Sequence, residues 1–515
     1  MSNIWYLKVI ENERLILILG INPRSALLRR KIRNPAPYNY LCACTFSLCM
    51  KFKSITDEDR QFFHTILRRE QIMDSQHELF DRYAHDHTED LHFKPDIVLL
   101  PETKEQISDI LRYCNQACIA VTPRGAGTGL SGGALPIYGG VVLSVERMNA
   151  IQHIDRDNFQ VTLQPGVINE ALQQALTAYD LFYPPDPASK GSCMMGGNIA
   201  HSSGGPKAVK YGTTRDYVLN LEVVLPDGRI MWTGADTLKY SSGYNLTHLM
   251  IGSEGTLGIV SSMVLRVMPL PKYQILLLAS FDSAEQACRA VNALFLAGQT
   301  PSVCEFVEPL AFELSSNLTG IPFTHDAAVK AYLLIEADGF ELSEVEKSIE
   351  AMYTVLDTHG CINVLMADSE DKKNQFWRLR RSIGEATKKG NVYKEEDTVV
   401  PRASLPALYH GVKAIAGRYG LRTVCYGHAG DGNLHVNILK DQLTDSYWNH
   451  EVKEAIREIF QLCYSLKGTI SGEHGIGLVQ KEYMPIVMPE WQLELMRGIK
   501  QVFDPRGILN PGKIF

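Results

Sequence analysis

The chain of 515 residues has no C-x-x-C pair and none of the C-x-x-C-x-x-C spacing that holds an iron–sulfur cluster. Its 11 cysteines are spread along the sequence. That pattern suits reduced thiols in an intracellular protein, and it puts any iron–sulfur relay on another chain. No G-x-x-x-x-G-K-[ST] phosphate loop occurs. Positive charge is not in excess: the formal net charge is -7, which argues against non-specific nucleic-acid binding. The apolar run from Leu15 to Ile21 is far too short to span a bilayer. What remains is an ordinary globular composition, long enough for two or three domains.

Residues 1–49 differ in character from the rest. A basic cluster (Arg24, Arg29, Arg30, Lys31, Arg33) precedes an apolar run from Tyr38 to Met50. The order resembles a signal peptide, but no A-x-A site follows, and Lys51 and Lys53 come next. Leu41-Cys42-Ala43-Cys44 is a poor lipid-attachment signal. The expectation is an extension outside the fold, with Met50 as the natural start.

The stretch Pro123 to Gly133 holds five glycines in eleven residues. It lies between two apolar runs, Ile119 to Val121 and Val141 to Val145, so it reads as a loop between strands. Such a loop can turn its amides inward and cradle an anion, phosphate above all. Arg124 and Thr128 add a charge and a hydroxyl. Gly191 to Asn198, Ser203 to Pro206 and Gly252 to Ile259 are three more such stretches. Four loops converging on one long ligand explain them better than four surface turns. Pro136 and a further strand follow the first loop, so it does not open the helix of a Rossmann unit.

Two further stretches carry chemistry. Tyr426-Gly427-His428-Ala429-Gly430-Asp431-Gly432-Asn433-Leu434-His435-Val436-Asn437 places two histidines around an Asp-Gly turn between short strands. Asn437 falls on the face of His435, two residues on. Ser471-Gly472-Glu473-His474-Gly475-Ile476-Gly477 sets a carboxylate beside an imidazole. Two histidines and a carboxylate can ligate a divalent metal, although spacing alone does not prove it.

Taken together, these motifs resemble the FAD-dependent oxidoreductases of the vanillyl-alcohol oxidase and p-cresol methylhydroxylase (PCMH) fold. Within that family the chain is similar to the D-2-hydroxy-acid dehydrogenase branch, which includes glycolate oxidase flavoprotein subunits and D-lactate and D-2-hydroxyglutarate dehydrogenases. The tail Phe503 to Lys513 matches the family's C-terminal signature. The resemblance implies an α+β architecture: a two-part PCMH-type FAD-binding domain, a ferredoxin-like α+β substrate domain, and a C-terminal tail returning to the flavin. The expected divisions are a 1–49 extension, a 50–92 helical segment, a 93–272 FAD-binding domain, a 273–500 substrate and metal domain, and a 501–515 tail.

The local patterns agree with that order. Thr56 and Asp59 form a capping box for a helix with Phe62, Phe63, Ile66 and Leu67 on one face. Phe93 to Pro101 reads as a strand and Thr103 to Cys114 as a helix. Leu219 to Leu225 and Ile230 to Thr233 read as a hairpin over Asp227-Gly228. Strands from Leu276 to Phe281 and Lys330 to Ala337 alternate with helices from Ser283 to Leu296 and Ser343 to His359. This predicts an antiparallel sheet covered by helices.

By resemblance, non-covalent FAD contacts Pro123, Arg124, Gly125, Gly127, Thr128, Gly129 and Ser131. It also contacts Ser192, Gly196, Gly197, Asn198, Ser203, Gly204 and Ile259, with Asn510 near the isoalloxazine. His428, His435 and Glu473 match ligands of a zinc- or manganese-like ion, and His474 matches the proton acceptor. Arg380, in Trp377-Arg378-Leu379-Arg380-Arg381, matches the substrate-carboxylate arginine, and Asn437 joins the substrate set. Lys394 matches a second substrate lysine of the D-2-hydroxyglutarate enzymes only with a one-residue gap; without it Glu395 falls there. Gly384 stands where those enzymes have threonine. Both departures favour a small monocarboxylate, glycolate or D-lactate. The alternatives are D-2-hydroxyglutarate, or a flavin electron-relay subunit of a larger complex. The implied partners are the hydroxy acid and an electron acceptor, such as a quinone or an iron–sulfur subunit. The expected location is cytoplasmic, with which a peripheral position at the inner face of a membrane is compatible, and a homodimer is compatible too.

Overall fold

The computed structural model describes residues 6–11 and 14–19 by their backbone, and residues 51–89, 91–324 and 326–515 in full. The chain divides into two units, Met1–Phe46 and Ser47–Phe515. In the first, β1 (Tyr6–Glu11) pairs antiparallel with β2 (Arg14–Leu19). The remainder of the expected 1–49 extension lies outside the described residues. No helix among the described residues is long and apolar enough to cross a membrane.

The second unit opens on the helix Asp57–Ile66, with the capping box in place: Asp59 N–H donates to Thr56 Oγ1, and Thr56 N–H donates to Asp59 Oδ2 at 2.7 Å. Four strands follow: β3 (Ile72–Met73), β4 (Ile97–Leu99), β5 (Val121–Arg124) and β6 (Val141–Ser144). They form a sheet in the order β3-β4-β6-β5, with β4 and β5 parallel to β6. The strand expected over Phe93 to Pro101 shrinks to β4, because prolines 95 and 101 cannot donate to a ladder. The first glycine-rich stretch does join two strands without a helix, though Pro123 and Arg124 belong to β5 itself. The C-terminal tail adds to the free edge of β5, where Val121 N–H donates to Ile508 O and Asn510 N–H to Val121 O, both at 2.8 Å.

The chain continues through β7 (Ile151–Asp155), β8 (Gln160–Leu163), β9 (Leu181–Phe182), β10 (Val218–Val224), β11 (Ile230–Trp232), β12 (Ile259–Arg266) and β13 (Met268–Pro269). Five of these make an antiparallel sheet in the order β11-β10-β12-β8-β7, and β9 with β13 makes a two-stranded ribbon. The β10–β11 hairpin turns at Gly228, whose φ is +86°.

The last sheet has seven strands: β14 (Tyr273–Phe281), β15 (Val303–Val307), β16 (Ala331–Gly339), β17 (Cys361–Met366), β18 (Tyr393–Val399), β19 (Arg422–Gly427) and β20 (Asn433–Leu439). Their order is β17-β14-β16-β15-β19-β20-β18, antiparallel throughout. With the helices Ala284–Leu296 and Leu342–Thr358, the first four strands give the ferredoxin-like βαββαβ order. The last three repeat it without a fourth strand, using the helices Leu405–Arg418 and Glu451–Ser465. The halves join through two residue pairs, Phe306 with Gly427 and Val307 with Tyr426. The four helices bury one face of the sheet around Phe306, Leu408 and Phe460. That packing fixes the β15–β19–β20 junction, where the next side chains converge.

Candidate active site

A cavity of about 880 Å³ runs from the glycine-rich loops to the β15–β19–β20 junction. All but Ser131, Gly204 and Asn510 of the residues expected to touch FAD line it. Those three sit just behind the wall. The Ser131 carbonyl accepts from Leu478 N–H at 2.7 Å. Gly204 N–H donates to Glu473 Oε2 at 3.0 Å. Asn510 Nδ2 donates to the carbonyls of Gly133 and Glu254, both at 2.8 Å, and so ties the tail to two glycine loops. His201, a side chain able in principle to carry a covalent flavin, also lines the cavity.

The second glycine-rich stretch departs from expectation. Met195–His201 is a helix, and Gly196, Gly197 and Asn198 sit in its first turn. Glycine pairs disfavour helix, but buried Met195 and Ile199, four residues apart, anchor this one. A Cβ built at Gly197 meets nothing within 4 Å and would occupy cavity space. Gly197→Val is therefore expected to fold with an unchanged far-UV circular dichroism spectrum and to purify without flavin. Full flavin content in that variant would show that the cofactor lies elsewhere.

The opposite wall carries the ionisable cluster. His428 follows β19, and the expected tight turn is lengthened by a 3₁₀ turn, Ala429–Asp431, closed by Gly432 at φ +75°. His435 lies on β20. His428 Nδ1 is 2.7 Å from Glu305 Oε1, and its Nε2 is 2.9 Å from Glu473 Oε1. His435 Nε2 is 3.7 Å from the same Glu473 oxygen. One donor atom from each of His428, His435 and Glu473 lies within 4.8 Å of the others, so the set fits a single divalent ion. The His474 ring stacks on His435, with centroids 5.0 Å apart and planes at 6°.

The charges are coupled. Burial opposes ionisation of Glu473, but His428 above all outweighs it and holds the carboxyl at about 2. Burial likewise opposes a charged His428, which Glu305 and Glu473 raise well above its usual range. Burial, reinforced by His474, pushes His435 down to about 4 and keeps it a neutral donor. Burial also works against a charged His474, but Asp397 leads the carboxylates that raise it.

Sequence reasoning missed the residues that hold this cluster. Glu305 is the lone carboxylate in Val303-Cys304-Glu305-Phe306-Val307 and is fully buried. It grips His428 through one oxygen and pairs with Arg380 through the other. A carboxylate inside an apolar strand was the available signal. Arg380 is 4% exposed, and its guanidinium stands 4.9 Å from the Tyr426 ring centre. Asp397 Oδ2 accepts from the N–H groups of Gly472, Glu473 and His474 at 2.7, 2.8 and 2.9 Å and so shapes the Glu473-His474 loop. Glu254, from the fourth glycine loop, accepts from Ile476 and Gly477 N–H at 2.7 and 2.8 Å and joins that loop to the flavin side.

Two expected substrate residues lie outside the cavity. Asn437 shares the His435 face, as expected, but is fully buried behind the wall. Lys394 is absent from the cavity lining, and its ammonium pairs with both oxygens of Glu89 at 2.7 and 2.8 Å. Side chains alternate along β18, so the face of Glu395 and Asp397 is the one turned toward the site. Glu395 lines the cavity and, with His435 and His474, forms a second cluster within 4.8 Å.

A PCMH-type flavin fold facing a ferredoxin-like sheet across one cavity defines an FAD-linked oxidoreductase. Residues 95–234 match the family model described as FAD binding domain, and residues 270–514 that of FAD linked oxidases, C-terminal domain. The glycolate oxidase subunit GlcD of Bacillus subtilis (strain 168) is 37% identical, covering 84% of this chain and 92% of its own length. A D-lactate dehydrogenase of Anaerostipes hadrus is 38% identical, covering 82% and 90%. The p-cresol methylhydroxylase structure shares the fold, with a TM-score of 0.73 at 17% identity, over 90% of this chain and 98% of that one. The chain belongs to the FAD-linked oxidase family and binds FAD.

Proposed function

We propose that the protein oxidises a small D-2-hydroxy acid, glycolate or D-lactate, to the 2-oxo acid. The observation that carries this reading is the His428, His435, Glu473 and His474 cluster on the wall of the flavin cavity. When bound, FAD supplies the acceptor for the hydride leaving Cα. A zinc or manganese ion held by His428, His435 and Glu473 would supply Lewis acidity toward the substrate hydroxyl. Arg380 holds the substrate carboxylate, prepositioned by Glu305. The His474 imidazole takes the hydroxyl proton. Asp397 keeps His474 in place through the loop backbone. Glu305 fixes the His428 ring through Nδ1, which leaves Nε2 turned toward Glu473 and available as the atom that would ligate an ion.

A 2-hydroxyglutarate substrate is less well supported, because Lys394 is spent on Glu89. The names of the relatives support the hydroxy-acid reading, and the word subunit in one of them supports an electron acceptor on another chain. The test is turnover of metal-loaded protein with an artificial dye. Pyruvate or glyoxylate should appear in equal amount to the dye reduced, from D-lactate or glycolate and not from L-lactate. No turnover with either acid would remove the assignment and favour the electron-relay reading.

A further inference from the structure

A second cavity, of about 530 Å³, lies between the segment around Asp186 and Lys190 and the C-terminal end of the helix Glu370–Arg381. It shares Arg381 and Glu385 with the flavin cavity but none of the ionisable cluster. Its polar groups are incompletely matched. Lys207 is satisfied, its Nζ donating to Glu336 Oε1 at 2.6 Å. Arg381 Nη2 donates to Asp186 Oδ2 at 2.6 Å, yet Arg381 Nη1 and Asp186 Oδ1 are both buried with no hydrogen-bond partner. Asp186 is only 4% exposed. Among the described residues, the side chains of Lys190 and Arg378 have no ion-pair partner; the cavity's carboxylates are Asp186, Glu336, which Lys207 engages, and the exposed Glu385. Burial and then the neighbouring Arg381 charge push the Lys190 ammonium down.

Buried polar atoms without partners are costly, and here they are of two kinds, cationic donors and a carboxylate acceptor. A simple anion would meet the donors and leave Asp186 Oδ1 unmatched. We propose that this cavity binds a small oxyanion that carries its own O–H group, a hydroxycarboxylate or hydrogen phosphate. The oxyanion faces Lys190, Arg378 and Arg381 Nη1, and the O–H donates to Asp186 Oδ1. The site does not depend on the flavin reaction, so it is tested without turnover.

Flavin-loaded protein is titrated calorimetrically with inorganic phosphate and, separately, with L-lactate. Saturable binding of at least one probe is expected. It should weaken about tenfold or more in Lys190→Met and in Arg378→Met, each of which removes a charge-assisted contact. Arg378 is exposed, so its replacement leaves the fold intact. Binding should persist in Arg380→Met, which alters only the flavin cavity. Binding of phosphate alone or of L-lactate alone identifies which oxyanion the site takes. No saturable binding of either probe, binding indifferent to both Lys190→Met and Arg378→Met, or binding abolished by Arg380→Met would overturn the proposal.

Discussion

His474→Ala is expected to slow reduction of the bound flavin by D-lactate or glycolate by about 10²–10⁴-fold, the usual contribution of a positioned general base. Flavin content should not change. The loop that carries His474 is held by backbone N–H groups on Asp397, so removing the imidazole leaves the loop in place. The contacts that fix the glycine loops, from Asn510 and Glu254, do not involve the imidazole either. The substitution also removes the stacked ring beside His435, but the hydrogen bonds of His428 with Glu305 and Glu473 remain. Stopped-flow absorbance under anaerobic conditions reads the rate directly. A variant that reduces its flavin at the parental rate would take the proton-acceptor role away from His474.

Glu473→Gln is expected to be as damaging, for a different reason. Glu473 is the only carboxylate of the His428, His435 and Glu473 set, and its Oε1 lies near both rings. The amide keeps the shape and removes the charge. Loss of an outer partner of a metal ligand costs roughly 10–100-fold in metal affinity or activity, and loss of the charged ligand itself should exceed about 100-fold. Two measurements separate a metal role from a structural one. Chelator treatment should abolish turnover of the parent protein, with recovery on adding zinc or manganese. Recovery of the variant should need far more metal, while its flavin spectrum stays normal. Glu305→Gln should show the smaller, outer-partner effect, together with a raised KM, because Glu305 also anchors Arg380. Turnover that survives exhaustive chelation would remove the ion from the mechanism.

Much of this site was legible because its signals are local. Glycine clusters, the paired histidines around Asp431-Gly432, and the Glu473-His474 dipeptide each announce themselves within a dozen residues, and the structure brings them to one cavity. The antiparallel, helix-covered sheet of β14 to β17 followed from strand and helix alternation, while its ferredoxin-like order was implied by the family resemblance. What escaped depends on long-range register. Glu305 lies 123 residues from His428 in sequence, and only the β15–β19 pairing brings them together. The choice between Lys394 and Glu395 turned on a one-residue gap, and a one-residue slip turns a side chain to the other face of a strand; Glu395 is the one that lines the cavity. The helix at Met195–His201 was hidden because two glycines lower its local propensity while its anchors are tertiary.

The most direct test of the account is an anaerobic visible spectrum taken before and after D-lactate or glycolate is added, on metal-loaded and chelator-treated samples of the same preparation. The account predicts that one of the two acids bleaches the flavin of the metal-loaded sample and leaves the chelated sample oxidised. Bleaching at equal rates in both samples, or in neither with either acid, would contradict it.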